Sequence, residues 1–239
     1  MRPVINVLAV ARRDLGSYFS SPVGYIIMAF ILLINGIFFL PTLSGQQASI
    51  GSVVSWITTL LLFFAPILSM RLLSEEQKSG TLELLMTAPV RDSEVAIGKY
   101  LAALGFLGVL LLLTLVYPAI LYIFGQPDRG QMIGGYLAMI LFGAAAMAIG
   151  LFTSSLTQNQ IVAAVVGIVI MLILYFVDAL AQSASGPLAQ VLTDLSAYRH
   201  LTQLTQGVVD TKDVIYFLSL VVGALFLTTR SLEARRWRG

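Results

Sequence analysis

Of the 239 residues none is cysteine and only one, His200, is histidine. Disulfides, thiolate nucleophiles and cysteine-ligated metal sites are therefore excluded, and one imidazole is too few for a histidine cluster. Charge is also scarce, because Asp, Glu, Lys and Arg make up 11% of the chain, whereas about a quarter of residues are charged in soluble domains. The remaining composition is 58% hydrophobic and predicts a membrane protein.

Six stretches are long and apolar enough to cross a bilayer, which requires about 20 mostly apolar helical residues per crossing. They are residues 22–40, 53–70, 100–124, 132–152, 160–181 and 214–229. The first two are the clearest, because no charged residue occurs between Asp14 and Arg71. The sequence predicts an all-α polytopic membrane protein with six transmembrane helices in a single domain, 1–239.

Basic residues predict the orientation of these helices, because cytoplasmic loops retain Lys and Arg. With a cytoplasmic N-terminus, all but Arg129, Arg199 and Lys212 of the 14 basic residues lie inside. The inner group is Arg2, Arg12, Arg13, Arg71, Lys78, Arg91, Lys99, Arg230, Arg235, Arg236 and Arg238. We therefore expect both termini and a 71–99 loop in the cytoplasm, and an outer loop over 182–212 with short helices.

The segment before the first span has an apolar stripe at helical spacing, which predicts a helix over 3–20 lying in the membrane interface. Ser21 and Pro22 are suited to cap and start the next helix. A disordered basic leader is the alternative. A cleaved signal peptide is disfavoured, because the apolar run from Val23 to Leu40 is too long.

The 71–99 loop is unusually polar for this chain. Ser74 and Gln77 have the spacing of a capping box, which predicts that a helix begins there. An apolar face is predicted to continue it through Leu82, Leu85, Met86 and Pro89. Asp92 or Ser93 is expected to cap the following helix, and Lys99 to extend its amine to the interface.

Five acidic residues in this loop bear on what it contacts. They are Glu75, Glu76, Glu83, Asp92 and Glu94. A helix resting on the membrane surface would place them beside an inner leaflet that is usually anionic. Docking into a groove of a cytoplasmic protein accounts for them better.

A longer pattern runs through the loop: Glu75-Glu76-x-x-x-Gly80-Thr81-Leu82-Glu83-x-Leu85-x-Thr87-x-Pro89, followed by Gly98-Lys99. Arg12-Arg13-Asp14 lies on the N-terminal helix. Together these residues resemble ABC-2 type transporter permeases, whose loop between the second and third membrane helices docks into an ATP-binding subunit. The stretch Tyr18 to Tyr25 and the block from His200 to Trp237 most resemble the permeases associated with gliding motility.

The resemblance implies a permease subunit that exports its substrate and lies in a bacterial cytoplasmic (inner) membrane. Two copies of an ATP-binding subunit would bind ATP and Mg. A second, identical permease chain would complete the transport path as a homodimer. A companion membrane protein with a large extracytoplasmic domain is also implied. The residues matching the ATPase-coupling interface are Arg12, Arg13, Asp14, Glu75, Glu76, Gly80, Thr81, Leu82, Glu83, Leu85, Met86 and Pro89.

The chain itself contains no phosphate-binding P-loop. Its one Gly-Lys pair, Gly98-Lys99, is preceded by Ser93 where a P-loop has its first glycine and is followed by Tyr100. We therefore expect no catalytic residue, no cofactor and no metal site in this chain, and no nucleic-acid partner. A secondary transporter or channel, and a force-transmitting subunit without cargo, remain alternative functions.

Two features inside the predicted spans concern packing. Ala144 and Ala148, and Ala146 and Gly150, have small-xxx-small spacing, which allows helices to approach closely. Pro118 is expected to kink the third span. Both are interpreted as structural features and neither as a substrate site.

Overall fold

The computed structural model describes residues 3–44, 50–82, 90–125, 127–183 and 185–236, and within them it is helical without strands. The helices are α1 (Pro3–Ser20), α2 (Pro22–Ser44), α3 (Gly51–Ser69), α4 (Arg71–Ser79), α5 (Asp92–Thr114), α6 (Val116–Phe124), α7 (Arg129–Leu156), α8 (Gln160–Ser183), α9 (Pro187–Asp194), α10 (Ala197–Thr205) and α11 (Thr211–Arg236).

Six helical segments of the described chain are long and apolar enough to cross a membrane. They are Pro22–Pro41, Gly51–Ser79, Asp92–Phe124, Arg129–Leu156, Gln160–Ser183 and Thr211–Arg235. Large apolar side chains also cover outward faces, and Ile26, Ile161 and Val222 are 65%, 72% and 65% exposed. The prediction of an all-α, six-span membrane protein is confirmed.

Helix α7 occupies the centre of the bundle. Its most apolar 18-residue window is 83% buried, against at most 56% for the other candidate spans. A Cβ added at Gly150 would lie 2.8 Å from Pro66 Cα of α3, and one added at Gly135 would lie 2.7 Å from Val54. Small residues therefore let α3 approach α7 closely, which confirms the packing role predicted for Gly150.

The third span is divided into α5 and α6 by a break at Leu115. Pro118 has no amide hydrogen, so it cannot donate to the carbonyl of Thr114, four residues earlier. The Leu115 amide instead donates to the Leu112 carbonyl at 3.2 Å, in a tighter turn. The helix is therefore interrupted next to Pro118, where the sequence predicted a kink.

Helix α1 packs along α5. Val10 Cβ would be 2.8 Å from a Cβ at Gly98, and Leu15 Cδ1 would be 3.1 Å from one at Gly105. On the other side, Val4, Ile5 and Leu8 are more than half exposed. An apolar face left open beside the first span suits a helix lying at a membrane surface.

Helix α10, in the connection between the fifth and sixth candidate spans, is bonded to the start of α11. His200 Nδ1 lies 2.6 Å from Asp213 Oδ1, and His200 Nε2 lies 3.1 Å from the carbonyl oxygen of Asp194. The imidazole also stacks on Tyr216, with ring centroids 4.2 Å apart. The single histidine therefore holds α9, α10 and α11 together.

Candidate functional site

Helix α4 continues from α3 with one interruption at Met70. The Met70 amide still donates to the Pro66 carbonyl at 2.8 Å, and α4 begins at Arg71 and ends at Ser79. The prediction that a helix starts at Ser74 with Gln77 in its capping box is therefore wrong. Both side chains are buried and bind elsewhere, so neither caps α4.

Ser154, near the end of α7, performs the capping that the local sequence does not. Its Oγ accepts hydrogen bonds from the amides of Leu73 at 3.1 Å and Ser74 at 2.9 Å, and it donates to the Met70 carbonyl at 2.5 Å. The two amides lack intrahelical partners at the interruption, and the Met70 carbonyl also accepts from the Ser74 hydroxyl. A side chain from the central helix therefore stabilises the start of α4.

Gln77 makes a second link between α4 and α7. Its Nε2 donates to the carbonyl oxygens of Ser154 at 3.3 Å and Ser155 at 3.1 Å. Ser231 of α11 also donates to the Ser155 carbonyl, at 3.2 Å. The last carbonyls of α7 thus bind groups from two other helices, which fixes α4 to the centre of the bundle.

Four charged side chains form a network where α1, α4 and α5 meet. Lys99 Nζ lies 2.9 Å from Asp14 Oδ2 and 2.9 Å from Glu76 Oε2. Arg13 closes the ring, with Nε 2.8 Å from Asp14 Oδ1 and Nη2 2.6 Å from Glu76 Oε1. We call Arg13, Asp14, Glu76 and Lys99 the charge quartet.

The formal charges of the quartet sum to zero, and its four side chains differ in solvent exposure. The side chain of Lys99 is 1% exposed, Asp14 9%, Glu76 18% and Arg13 54%. Partial burial alone would lower the pKa of Arg13, but its hydrogen bond to Asp14 and the charges of Asp14 and Glu76 raise it above the ordinary value. Two cations and two carboxylates therefore compensate one another, and water is largely excluded only at the Lys99 end of the quartet.

The prediction that Lys99 extends to the membrane interface is wrong. Its amine points into the protein because two carboxylates are available there, one from α1 and one from α4. Gly98 of α5 faces Val10 of α1 and is part of the contact between these two helices. The Gly98-Lys99 pair lies in a helix and binds carboxylates, and so does not form a phosphate-binding loop.

The other predicted interface residues that the structure describes lie on α1, on α4 or directly after α4. Arg12 is exposed, and Glu75 pairs with Arg71 at 3.0 Å. Gly80 ends α4 in the left-handed conformation with φ 73°, followed by exposed Thr81 and buried Leu82. Glu83, Leu85, Met86 and Pro89 lie outside the described residues.

The start of α5 differs from the prediction by one or two residues. Arg91 is the N-cap, and α5 begins at Asp92, so neither Asp92 nor Ser93 caps it. Glu94 Oε2 accepts from the Arg91 amide at 3.3 Å and from Asn6 Nδ2 at 2.9 Å. The Glu94 carboxylate therefore accepts from the amide of the N-cap residue and also binds α1. These bonds fix the start of α5.

The sequence of the chain matches known proteins over most of its length. Residues 19–228 match the family described as ABC-2 family transporter protein. The chain belongs to the ABC-2 transporter family.

Curated relatives of this chain include two permeases of Escherichia coli. The probable multidrug ABC transporter permease YbhR of strain K12 is 25% identical over 170 residues, which cover 70% of this chain and 45% of that protein. The probable multidrug ABC transporter permease YbhS of strain K12 is 29% identical over 130 residues, covering 54% of this chain and 33% of that protein. The chain spans less than half the length of these relatives.

Proposed function

We propose that this ABC-2 family chain is the membrane permease subunit of an ATP-driven transporter and that its α4 segment conveys motion from a cytoplasmic ATP-binding subunit to the spans. The charge quartet carries the proposal, because Glu76 of α4 pairs with Arg13 of α1 and with Lys99 of α5. Gln77 and Ser154 join the same segment to α7. Displacing residues 80–89 would therefore act on three helices at once.

The docking partner binds ATP and Mg, and this chain supplies no cofactor site in the proposal. The apolar residues Leu85 and Met86 enter a groove of that subunit, with Glu83 and Pro89 at its edge. Leu82, which was predicted to dock beside them, is 5% exposed and packs in the core of this chain, so it anchors the segment from the permease side. Glu76 acts through Arg13 and Lys99, since those side chains occupy its carboxylate. Arg12, which is exposed beside Arg13 on α1, extends the contact.

The assembly we propose contains two identical permease chains and two ATP-binding subunits in a bacterial cytoplasmic membrane. The resemblance to gliding-motility permeases over Tyr18 to Tyr25 and from His200 onward further suggests a companion protein with a large extracytoplasmic domain. Export is the proposed direction, with a substrate that is not a highly charged small solute. The spans offer mainly Ser, Thr, Tyr, Phe and Gly as polar or small groups.

Docking is tested by co-purifying the ATP-binding subunit with the Leu85→Asp variant. Burial of a leucine contributes about 1.5 to 3 kcal/mol, and a buried carboxylate adds a desolvation cost. We expect docking to weaken by on the order of 10-fold to more than 100-fold. The permease alone should show no ATP turnover.

Leu188→Asp is the matched control, because Leu188 is 62% exposed on α9 of the outer connection. It should leave ATPase capture unchanged. The proposal is wrong if Leu85→Asp captures the ATP-binding subunit as well as the Leu188→Asp variant does, or if the permease alone hydrolyses ATP.

A further inference from the structure

A cavity of about 140 Å³ opens beside the charge quartet, between α1, the start of α2 and the end of α3. One part is apolar and includes Val23, Ile27 and Ile67. The other part is charged and includes Arg71 and Glu75. The cavity is therefore amphipathic, and it lies where two membrane spans meet the water phase.

Its depth in the membrane follows from the helices that bound it. The first span begins at Pro22, directly after the lining residue Ser21, and α3 ends at Ser69, directly after the lining residue Leu68. The lining therefore passes from apolar to charged at the level of lipid headgroups. The distribution of Lys and Arg assigns this level to the cytoplasmic leaflet.

The rim of the cavity carries one charge of each sign. Arg71 Nε lies 3.0 Å from Glu75 Oε2, and these side chains are 33% and 50% exposed. Ser21 Oγ accepts from Arg71 Nη1 at 3.2 Å. Deeper inside, Lys99 is held by Asp14 and Glu76, so Arg71 is the lining cation within reach of a ligand from the membrane.

We infer that this cavity binds phosphatidylethanolamine of the cytoplasmic leaflet, with the phosphate at Arg71 and Ser21 and the ammonium at Glu75. A neighbouring cation and carboxylate match a headgroup whose opposite charges are two carbons apart. A primary ammonium donates charge-assisted hydrogen bonds to a carboxylate, whereas the quaternary amine of phosphatidylcholine has no N–H. The acyl chains lie along Val23 and Ile67.

An anionic lipid fits this lining less well. The charged side chains of the described lining are three carboxylates, Asp14, Glu75 and Glu76, and two cations, Arg71 and Lys99. Phosphatidylglycerol would bind Arg71 but would bring a further negative charge without an ammonium to neutralise Glu75. Because this site involves lipid and not the ATP-binding subunit, it stands or falls independently of the proposed function.

The test is native mass spectrometry of the full-length chain in detergent, titrated separately with phosphatidylethanolamine, phosphatidylcholine and phosphatidylglycerol of the same acyl composition. Phosphatidylethanolamine should bind about five- to tenfold more tightly than the other two, from its additional charged hydrogen bond. Equal binding of all three, or tighter binding of phosphatidylglycerol, would overturn the assignment.

Two pairs of variants locate the binding. Glu75→Gln should remove the preference, whereas Glu233→Gln should retain it, because Glu233 is also a helical carboxylate paired with an arginine, Arg230 at 2.7 Å, but does not line the cavity. Ser17→Trp should fill the cavity, while Ser20→Trp, at an exposed position outside it on the same helix, should not. Size-exclusion profiles check folding. The inference fails if either test variant behaves like its control.

Discussion

The amine of Lys99 lies 2.9 Å from the Asp14 carboxylate, although 85 positions separate the two residues. Glu76, from a third part of the chain, lies equally close to the same amine. A charged group buried in this way requires compensation, and single removal of a partner is costly. The contact therefore joins three helices more firmly than exposed ion pairs would.

Removing the cation alone should destabilise the protein. Lys99→Met leaves Asp14 and Glu76 with only Arg13 to balance them, and losing one partner of a buried ion pair typically costs about 3–5 kcal/mol. We expect a clearly lowered midpoint of thermal unfolding for the purified chain in detergent.

The double variant Lys99→Met with Glu76→Gln is the control, because it leaves one cation and one carboxylate, Arg13 and Asp14. Most of the lost stability should return. If Lys99→Met unfolds at the parental temperature, the quartet is not the link between the helices that its geometry indicates.

Glycine in α7 should be intolerant of even one added methyl group. In Gly150→Ala the new Cβ would lie 2.8 Å from Pro66 Cα and 2.8 Å from Ser69 Oγ, so α3 must move, and overpacking of this kind costs about 1–3 kcal/mol. Thermal unfolding measures the effect.

Gly108→Ala on α5 is the matched variant, since a Cβ there meets nothing within 4 Å. Alanine is favoured over glycine inside a helix by roughly 0.5–1 kcal/mol, so this variant should be as stable as the parent or more so. Equal loss of stability in both variants would contradict the packing described for α7.

The orientation of the chain can be measured with single cysteines, because the sequence has none of its own. Ser79→Cys and Ser185→Cys are both at exposed positions, on the predicted cytoplasmic and outer sides. A membrane-impermeant maleimide added to intact cells should label only Ser185→Cys, and both after lysis. Labelling of Ser79→Cys in intact cells would contradict the predicted topology.

The spans and the interruption next to Pro118 could be predicted because each depends on the chain's own local composition. Apolar length indicates a crossing, and Pro118 removes a hydrogen bond within its own helix whatever surrounds it. Gly150 was likewise recognisable from its spacing to Ala146. In these cases the surrounding residues do not decide whether the feature forms.

The wrong predictions concern groups whose partners are distant in sequence. Ser74 and Gln77 have the spacing of a capping box, yet Ser154 supplies the bond that such a cap would make. Lys99 looked like an interfacial amine because its two carboxylates are on other helices. The scarcity of charge could have indicated this pairing, since a buried cation in so apolar a chain requires a carboxylate nearby.

The cap supplied by Ser154 has a consequence for biogenesis. The serine is synthesised 81 residues after Leu73, whose amide it accepts. Because ribosomes add about 5–20 residues per second, this hydroxyl arrives roughly 4 to 16 s later. Until the fourth span has entered the bilayer and packed, the amides of Leu73 and Ser74 depend on water or another partner. The start of α4 is therefore completed only after a much later part of the chain has been inserted.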